Sequence, residues 1–244
     1  MLVAAAVCPC PPLLVPEVAA GAAAELDEAR TACLDALGVL AASRPDRLVV
    51  VAPVAAGDDT AQGRYLEGAE GSFHGFGVDL PVRLGSGYSE EPQEAERGPL
   101  PTPLAVAAWL LARADWADAP VEGLAVDESL DSASCAAAGR ELAAAAGRVA
   151  LLVMGDGSAC RTLKAPGYLD ERAAGFDEGV ARALGAADTA ALLALDEQLA
   201  HELKAAGRAP WQVLAGAADG RDLDGRLLYE DAPYGVGYFV ASWS

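Results

Sequence analysis

Residues 149–160 read V-A-L-L-V-M-G-D-G-S-A-C, and this stretch decides the fold. The unbroken apolar run that begins with the five residues 149–153, flanked by Gly147 and Gly155, is typical of a short strand buried on both faces of a sheet. The run ends in the turn G-D-G-S, where two glycines allow a tight bend. Asp156 and Ser158 therefore follow the carboxyl end of the strand, which is where ligands bind in open α/β sheets. A plain strand exit, with Asp156 capping its own backbone, explains the same residues equally well.

The composition indicates a well-packed acidic protein. Of the 244 residues, 53% are hydrophobic, and the formal net charge is −19. Such a surface repels phosphate backbones, so we expect no nucleic-acid partner. Five cysteines with irregular spacing do not resemble a secreted disulfide framework, which favours reduced thiols and a cytoplasmic location. We find no run long enough to span a membrane and expect no membrane partner.

Strands and helices alternate along most of the chain. This order predicts a single α/β domain over residues 1–244, with a largely parallel central sheet, helices on both faces and a β-structured C-terminus. The predicted strands cover residues 2–7, 47–54, 121–126, 149–153, 225–230 and 234–243, with a short strand around Val82. The predicted helices cover residues 17–43, 104–114, 131–146, 168–184 and 189–206, with a short one starting at Pro210.

Two stretches are predicted to be irregular. Residues 55–72 are rich in glycine and acids, which is typical of a loop beyond a strand. Residues 85–103 carry four acids, four prolines and three glycines, and we expect a flexible surface insertion there.

Three predicted strands end in polar or thiol groups, and in a parallel sheet these ends share one edge. The groups are Cys8 and Cys10, then Asp58 and Asp59, then Asp156, Ser158 and Cys160. Thiolate and imidazole suit zinc or iron, so Cys10, Cys160 and His74 are candidate ligands of a soft metal. Simple buried or exposed thiols are the alternative, because the C-x-x-C pairs usual in zinc sites are absent.

Nucleophilic and nucleotide chemistry have less support. Ser158 lies in G-D-G-S-A and lacks the G-x-S-x-G nucleophile elbow. A serine or cysteine triad would need His74, because His201 lies within a predicted helix and reads as a solvated residue. There is no phosphate-binding loop and no G-x-G-x-x-G after the first strand.

Three motifs resemble those of the LigB-like superfamily. They are C-P-C-P-P-L-L-V-P-E after strand one, G-D-G-S after the central strand and Y-E-D-A-P-Y-G-V-G-Y-F-V-A-S-W at the end. This superfamily comprises the class III extradiol ring-cleavage dioxygenase catalytic subunits and their MEMO-type relatives. The chain is most similar to the alanine-rich actinobacterial group of extradiol dioxygenase-like proteins. The resemblance covers nearly the whole chain and implies a phosphorylase/hydrolase-like α/β sandwich.

The resemblance also implies which positions would carry an iron site. Active members have an Fe(II)-binding histidine in the first motif, where this chain has Cys10. A second histidine follows strand two, where A-P-V-A-A-G-D-D-T has none. A catalytic histidine follows the D-x-S turn, where this chain has Ala159. The third ligand is a late carboxylate, for which Glu230 is the candidate.

These substitutions favour a non-catalytic protein that binds a small molecule at the C-terminal edge of the sheet, or a protein partner, on a dioxygenase fold. A homodimer is also compatible with the resemblance, and no cofactor is expected for this function. The alternative is an active metal-dependent oxygenase or hydrolase, an extradiol-like oxidoreductase with Fe(II) or Zn(II) in a divergent site. That alternative assigns Cys10, His74 and Glu230 as metal ligands, and Asp156, Ser158 and Cys10 as catalytic residues.

Overall fold

The apolar runs form one seven-stranded sheet in the computed structural model, which describes residues 1–87, 98–145 and 147–244. The sheet has the order β3-β6-β2-β7-β1-β9-β8, and β4 pairs with β5 in a separate hairpin. The strands are β1 (Leu2–Cys8), β2 (Arg47–Val54), β3 (Gly63–Tyr65), β4 (Glu70–Ser72), β5 (Pro81–Arg83), β6 (Val121–Asp127), β7 (Val149–Met154), β8 (Gly225–Asp231) and β9 (Tyr238–Trp243).

The middle of this sheet is parallel. Strands β6, β2, β7 and β1 run in the same direction, because the chain between them crosses over through helices. Strand β3 pairs antiparallel with β6 at one edge, and β9 and β8 add an antiparallel pair at the other. This arrangement confirms the predicted α/β fold class and the β-structured C-terminus.

Helices cover both faces of the sheet. Helices α2 and α3 pack on one face, while α4, α5 and α8 belong to the layer on the other. The helices are α1 (Pro16–Ala19), α2 (Asp27–Ala42), α3 (Thr102–Arg113), α4 (Ser132–Ala144), α5 (Arg172–Gly185), α6 (Thr189–Leu193), α7 (Glu197–Glu202) and α8 (Arg208–Ala217). Short 3₁₀ segments occupy Pro12–Leu14, Ala20–Leu26 and His74–Phe76.

Strand β7 lies at the centre of the sheet, and its unbroken apolar sequence fits a strand that is covered on both faces. Leu152 and Met154 point into one apolar layer, whereas Leu151 and Val153 point into the other. All these side chains are fully buried, as the sequence predicts for a strand with neighbours on both sides. Cys33 on α2 is likewise buried in the core.

The long helix predicted over residues 17–43 is broken. Ala20 adopts a left-handed φ of 49°, which ends α1 after one turn. The buried Arg30 guanidinium then donates hydrogen bonds to the carbonyl oxygens of Leu14 and Ala23. The Ala23 carbonyl is an acceptor that a continuous helix would have used, so the 3₁₀ segment is stabilised by a side chain from the next helix.

The helix predicted over residues 189–206 is divided into α6 and α7. Asp196 caps the second of them by accepting a hydrogen bond from the Leu199 N–H at 2.7 Å. The Gln212 amide of α8 lies 3.3 Å from the carbonyl oxygens of Leu192, Leu193 and Leu195, which satisfies the open end of α6. The helix predicted from residue 168 begins only at Arg172.

The predicted irregular stretches are partly ordered. Residues 55–72 contain β3 and β4 rather than loop alone. Of the predicted insertion at residues 85–103, residues 88–97 lie outside the described residues, and Thr102 already begins α3. Within the described ranges, no helix has both the length and the apolar character needed to cross a membrane.

Candidate ligand site at the carboxyl edge of the sheet

The parallel strands bring three titratable side chains to one edge. Cys10 follows β1, Glu128 follows β6 and Asp156 follows β7, and we call this group the carboxyl rim. The backbone N–H of Cys10 donates to Asp156 Oδ1 at 2.8 Å. The N–H of Gly155 donates to the Cys8 carbonyl at 3.0 Å, so the loops after β1 and β7 are joined twice.

The proline-rich motif explains why Cys10 is the residue that Asp156 contacts. Pro9, Pro11 and Pro12 have no backbone N–H, so Cys10 carries the one amide donor within residues 9–12. Because Cys10 is only 6% exposed, an unpaired N–H there would cost free energy. The Asp156 carboxylate satisfies that donor.

Burial makes Asp156 a weak acid. It raises the pKa of this carboxyl to about 7, although the hydrogen bonds from Cys10 act to lower it, and the negative charge of Glu128 adds to the rise. The pKa of Glu128 is also raised, first by burial and then by the neighbouring Asp127 carboxylate. Asp156 therefore exchanges its proton near neutral pH.

The Cys10 thiol is held in its protonated form. Burial raises its pKa well above the ordinary value, and the negative charges of Asp156 and Glu128 raise it further. The thiolate is the form that attacks electrophiles and binds metals, so this environment suppresses both activities. The structure places Cys10 at the predicted edge, next to the predicted Asp156, but as a neutral hydrogen-bonding group.

A tyrosine completes the rim. Tyr238 at the start of β9 is 2% exposed, and burial is the main cause that raises the pKa of its phenol. The charges of Asp156 and Cys10 are the next causes of this rise in pKa, so the phenol is close enough to interact electrostatically with both groups. Tyr238 lies in the C-terminal Y-G-V-G-Y motif, but nothing in the sequence alone indicates that it lies beside Asp156.

Ser158 has a structural role and is not exposed to a ligand. Its Oγ donates to Asp177 Oδ2 at 2.7 Å, and its backbone N–H donates to Asp177 Oδ1 at 2.8 Å. Arg161 Nη1 donates to Asp177 Oδ2 at 2.9 Å. Ser158 and Asp177 are both fully buried, so the hydroxyl is a donor within the core. The assignment of Ser158 as a catalytic residue is not supported by this burial.

The C-terminal motif packs directly against the G-D-G-S turn. The Gly157 N–H donates to the Gly237 carbonyl at 2.7 Å, and the Gly237 N–H donates to the Ser158 carbonyl at 2.9 Å. A Cβ at Gly237 would lie 2.6 Å from Asp177 Oδ2, and one at Gly157 would lie 2.6 Å from the Phe239 ring. Glycine is required at both positions because the two segments approach so closely.

A second buried network supports the loop after β6. Asp127 accepts hydrogen bonds from the Gly57 N–H at 2.8 Å and from the Ser129 hydroxyl at 2.6 Å. Burial acts to raise the pKa of Asp127, but these bonds outweigh burial and the pKa is lowered. The buried Arg208 guanidinium donates to the carbonyl oxygens of Glu128 and Leu130. Arg208 therefore fixes the backbone that carries Glu128.

The predicted metal ligands do not come together. His74 is exposed, and its Nε2 lies 2.7 Å from Asp79 Oδ1 within its own loop. Glu230 is exposed on the edge strand β8, and the Cys160 thiol is buried and donates to the Leu203 carbonyl at 3.5 Å. Across the described ranges, no three His, Cys, Asp or Glu side chains are grouped so as to hold a metal ion. Neither Cys10, His74 and Glu230 nor Cys10, Cys160 and His74 form such a group.

The sequence carries a signal for Asp177 that the motifs do not include. Asp177 follows Phe176 and precedes Val180 by three positions, so it lies on the apolar face of α5. A carboxylate on that face predicts buried hydrogen-bonding partners, and in the structure these are Arg161 and Ser158. No pattern in the sequence marks Glu128 and Arg208 as site residues, because the residues around them are brought together only by the order of the strands in the sheet.

No family model and no curated protein matches this chain. Among solved structures, the fold is similar to that of the uncharacterized protein JW3007 from Escherichia coli K12. The TM-score is 0.56 at 17% sequence identity, and 99% of each chain is covered. The class of protein is therefore an α/β protein with a mostly parallel, helix-covered sheet, and at this identity the similarity supports the fold alone. The LigB-like resemblance stays a prediction.

Proposed function

We propose that this protein is a non-catalytic binding protein on a fold of the extradiol dioxygenase type, with a small-molecule site at the carboxyl rim. The observation that carries the proposal is the hydrogen bond from the Cys10 N–H to Asp156. If the resemblance holds, Cys10 stands where active relatives have an iron-binding histidine. In this chain the position serves instead to join two loops at the edge of the sheet.

The residues of the rim do not fit a ring-cleavage iron centre. A two-histidine-one-carboxylate site needs two imidazoles beside a carboxylate, with positions left open for oxygen and substrate. The chain has two histidines, of which His74 pairs with Asp79 and His201 is exposed on α7. A neutral thiol cannot replace an imidazole without losing its proton, and the carboxyls of Asp156 and Glu128 oppose that loss.

The chemistry of the rim indicates which ligands it would bind. Two carboxyls with raised pKa values gain from a positively charged neighbour, and a protonated carboxyl also donates a hydrogen bond. The Tyr238 phenol and the Cys10 thiol add neutral polar groups. A small molecule with a basic nitrogen or a hydrogen-bonding ring satisfies these groups, whereas an anionic ligand is repelled.

A fragment screen by protein-observed NMR tests this proposal. We expect small amines and heteroaromatic bases to shift the resonances of Cys10, Asp156 and Tyr238 at neutral pH. The Asp156→Asn variant should weaken amine binding about tenfold or more, since it removes a desolvated charge. The matched control is Asp59→Asn in the exposed loop after β2. Binding of carboxylates at the rim, or amine binding unchanged by Asp156→Asn, would contradict the proposal.

The second candidate is a metal-dependent oxygenase or hydrolase with a divergent site. The observation in its favour is that the charges of Asp156 and Glu128 both raise the pKa of Cys10, so a thiol and two carboxyls share one edge. A cation bound to such a group would lower these raised pKa values again. This candidate predicts stoichiometric Zn(II) or Fe(II) binding that is lost in Cys10→Ser.

A further inference from the structure

The loop between Ser158 and α5 exposes an unusual amount of apolar surface. Leu163 is 62% exposed, Tyr168 is 63% exposed and Leu169 is 45% exposed. Among the described residues only six large hydrophobic side chains are exposed, and these three lie within seven residues of one another. Single exposed apolar residues are normal on a protein surface, but a group of them marks an interaction site.

Hydrogen bonds hold this loop in one conformation. The Gly167 N–H donates to the Ala159 carbonyl at 2.8 Å, and the Asp170 N–H donates to the Cys160 carbonyl at 3.0 Å. Tyr168 has a left-handed φ of 64°, which costs free energy in a residue with a side chain. The surrounding bonds hold that strained conformation, so the apolar side chains are presented on a preorganised surface.

The only two lysines of the chain lie beside the same loop. Lys164 is within it, and Lys204 follows Leu203, whose carbonyl accepts a hydrogen bond from the Ala159 N–H at 2.8 Å. Both lysines are exposed, and neither ammonium makes an ion pair or hydrogen bond with any residue the structure describes. The neighbouring carboxylates of Asp170 and Glu202 each pair with Arg172 at 2.7 Å, which leaves both ammonium groups open to a partner.

We propose that Leu163, Lys164, Tyr168, Leu169 and Lys204 form a docking surface for an acidic, apolar segment of a partner protein. We call these residues the lysine–tyrosine patch. The two ammonium groups would pair with carboxylates of the segment, and the apolar side chains would cover its leucine or aromatic residues. The lysine–tyrosine patch contains none of the rim residues Cys10, Glu128 and Asp156, so the proposal does not depend on the proposed small-molecule site.

Charge favours a peptide segment over the other occupants. A second copy of this chain brings a net charge of −19 against an equally negative surface. Nucleic acid and anionic lipid are repelled for the same reason. A short segment brings carboxylates only at the patch, and repulsion from the rest of the surface is screened beyond about 8 Å at physiological salt.

Peptide display tests the proposal with the full chain. Immobilised protein is used to select from a random 12-residue peptide library, and each retained peptide is measured by fluorescence anisotropy. We expect the retained peptides to combine Asp or Glu with Leu, Phe or Tyr. The pair Lys164→Glu and Lys204→Glu should weaken binding about tenfold or more, because attractive contacts become repulsive. The pair Leu163→Ser and Tyr168→Ser should weaken it similarly.

The controls separate the patch from general charge and hydrophobicity. The pair Arg113→Glu and Arg226→Glu reverses two exposed charges elsewhere, and Leu34→Ser removes another exposed apolar side chain. These variants should keep affinity within about twofold, and all variants should show an unchanged circular dichroism spectrum. Failure to retain peptides, retention of basic peptides, or equal loss in the controls would overturn the proposal. So would a dimer in sedimentation, or binding to phosphatidylserine vesicles, that is lost in Tyr168→Ser.

Discussion

The backbone N–H of Cys10 donates to Asp156 Oδ1 at 2.8 Å, and this bond joins the loops that follow β1 and β7. Prolines on both sides leave Cys10 with the one donor of its loop, and the glycines around Asp156 let the turn reach it. Burial at this contact raises the pKa of the Cys10 thiol well above its ordinary value and, although the hydrogen bonds from Cys10 oppose the rise, raises the pKa of Asp156 to about 7.

Asp156→Asn should change how stability depends on pH. The folded pKa of about 7 lies above the ordinary 3.8, so folding favours the protonated form. The stability from this group is fully present below pH 3.8 and is lost as pH rises through 7. Above pH 8 the variant should be more stable than the wild type by on the order of 2 kcal/mol, since a tenfold change in proton affinity corresponds to about 1.4 kcal/mol and solvent screens part of it.

Urea unfolding at pH 4, 6 and 8 measures this difference. The free-energy gap between Asp156→Asn and wild type should widen as pH rises, and Asp59→Asn is the control for the loss of one surface charge. A gap that stays constant with pH would show that Asp156 ionises at its ordinary pKa in the folded protein.

Asp177→Ala should destabilise the protein far more than Ser158→Ala. Removing the carboxylate leaves the Arg161 guanidinium and the Ser158 hydroxyl without their partner, at a cost of about 3 kcal/mol. Ser158→Ala removes one hydrogen bond and should cost about 1 to 2 kcal/mol. Urea unfolding measures both. A neutral Ser158→Ala would contradict the structural role of this hydroxyl and return it to the candidate reactive groups.

Gly237→Ala should destabilise the contact between the C-terminal motif and the G-D-G-S turn. The added methyl would lie 2.6 Å from Asp177 Oδ2, and relieving such overpacking costs about 1 to 3 kcal/mol. Gly175→Ala in α5 is the matched control, because nothing lies within 4 Å of its Cβ and alanine favours a helix. Thermal unfolding should show a lower Tm for the first variant and an equal or higher Tm for the second; equal effects would refute the close approach.

Thiol labelling should be slow in the folded protein. All five cysteines are buried and unpaired, and burial raises the pKa of the Cys10 thiol. With iodoacetamide at pH 8, we expect mass spectrometry to detect little modification of folded protein and five modifications after unfolding in urea. Cys10→Ser identifies the site of any early reaction. Rapid labelling that disappears in Cys10→Ser would mean that Cys10 is a reactive thiolate after all.

The sequence predicts the sheet better than the helices, for a physical reason. The apolar runs at β1, β2 and β7 have one stable place, between two helical layers, so their position and class could be predicted. Helix ends depend on contacts with distant residues. Arg30 stabilises the break after α1, and Gln212 stabilises the break between α6 and α7, and neither contact is visible in local periodicity.

The candidate site was predicted in part. Cys10 and Asp156 were expected at one edge because parallel strands end together, and the structure brings them into contact. His74 is a candidate ligand because it is the one histidine in a predicted loop, and Glu230 because the LigB-like resemblance implies a late carboxylate. His74 lies in the hairpin β4–β5, whereas Glu230 lies on β8 at the edge of the main sheet. The topology therefore places these two candidate ligands with different sheets.

Metal binding is the most direct test of the central claim, which is that the carboxyl rim works without a metal. Untagged protein is equilibrated with Fe(II) under anaerobic conditions, and separately with Zn(II), then dialysed and analysed for bound metal. We predict less than about a tenth of an equivalent for each metal, because sites that fold around a metal load close to one equivalent. Binding of about one equivalent that is lost in Cys10→Ser and in Asp156→Asn, but kept in His74→Ala, would contradict the account and favour the metal-dependent enzyme.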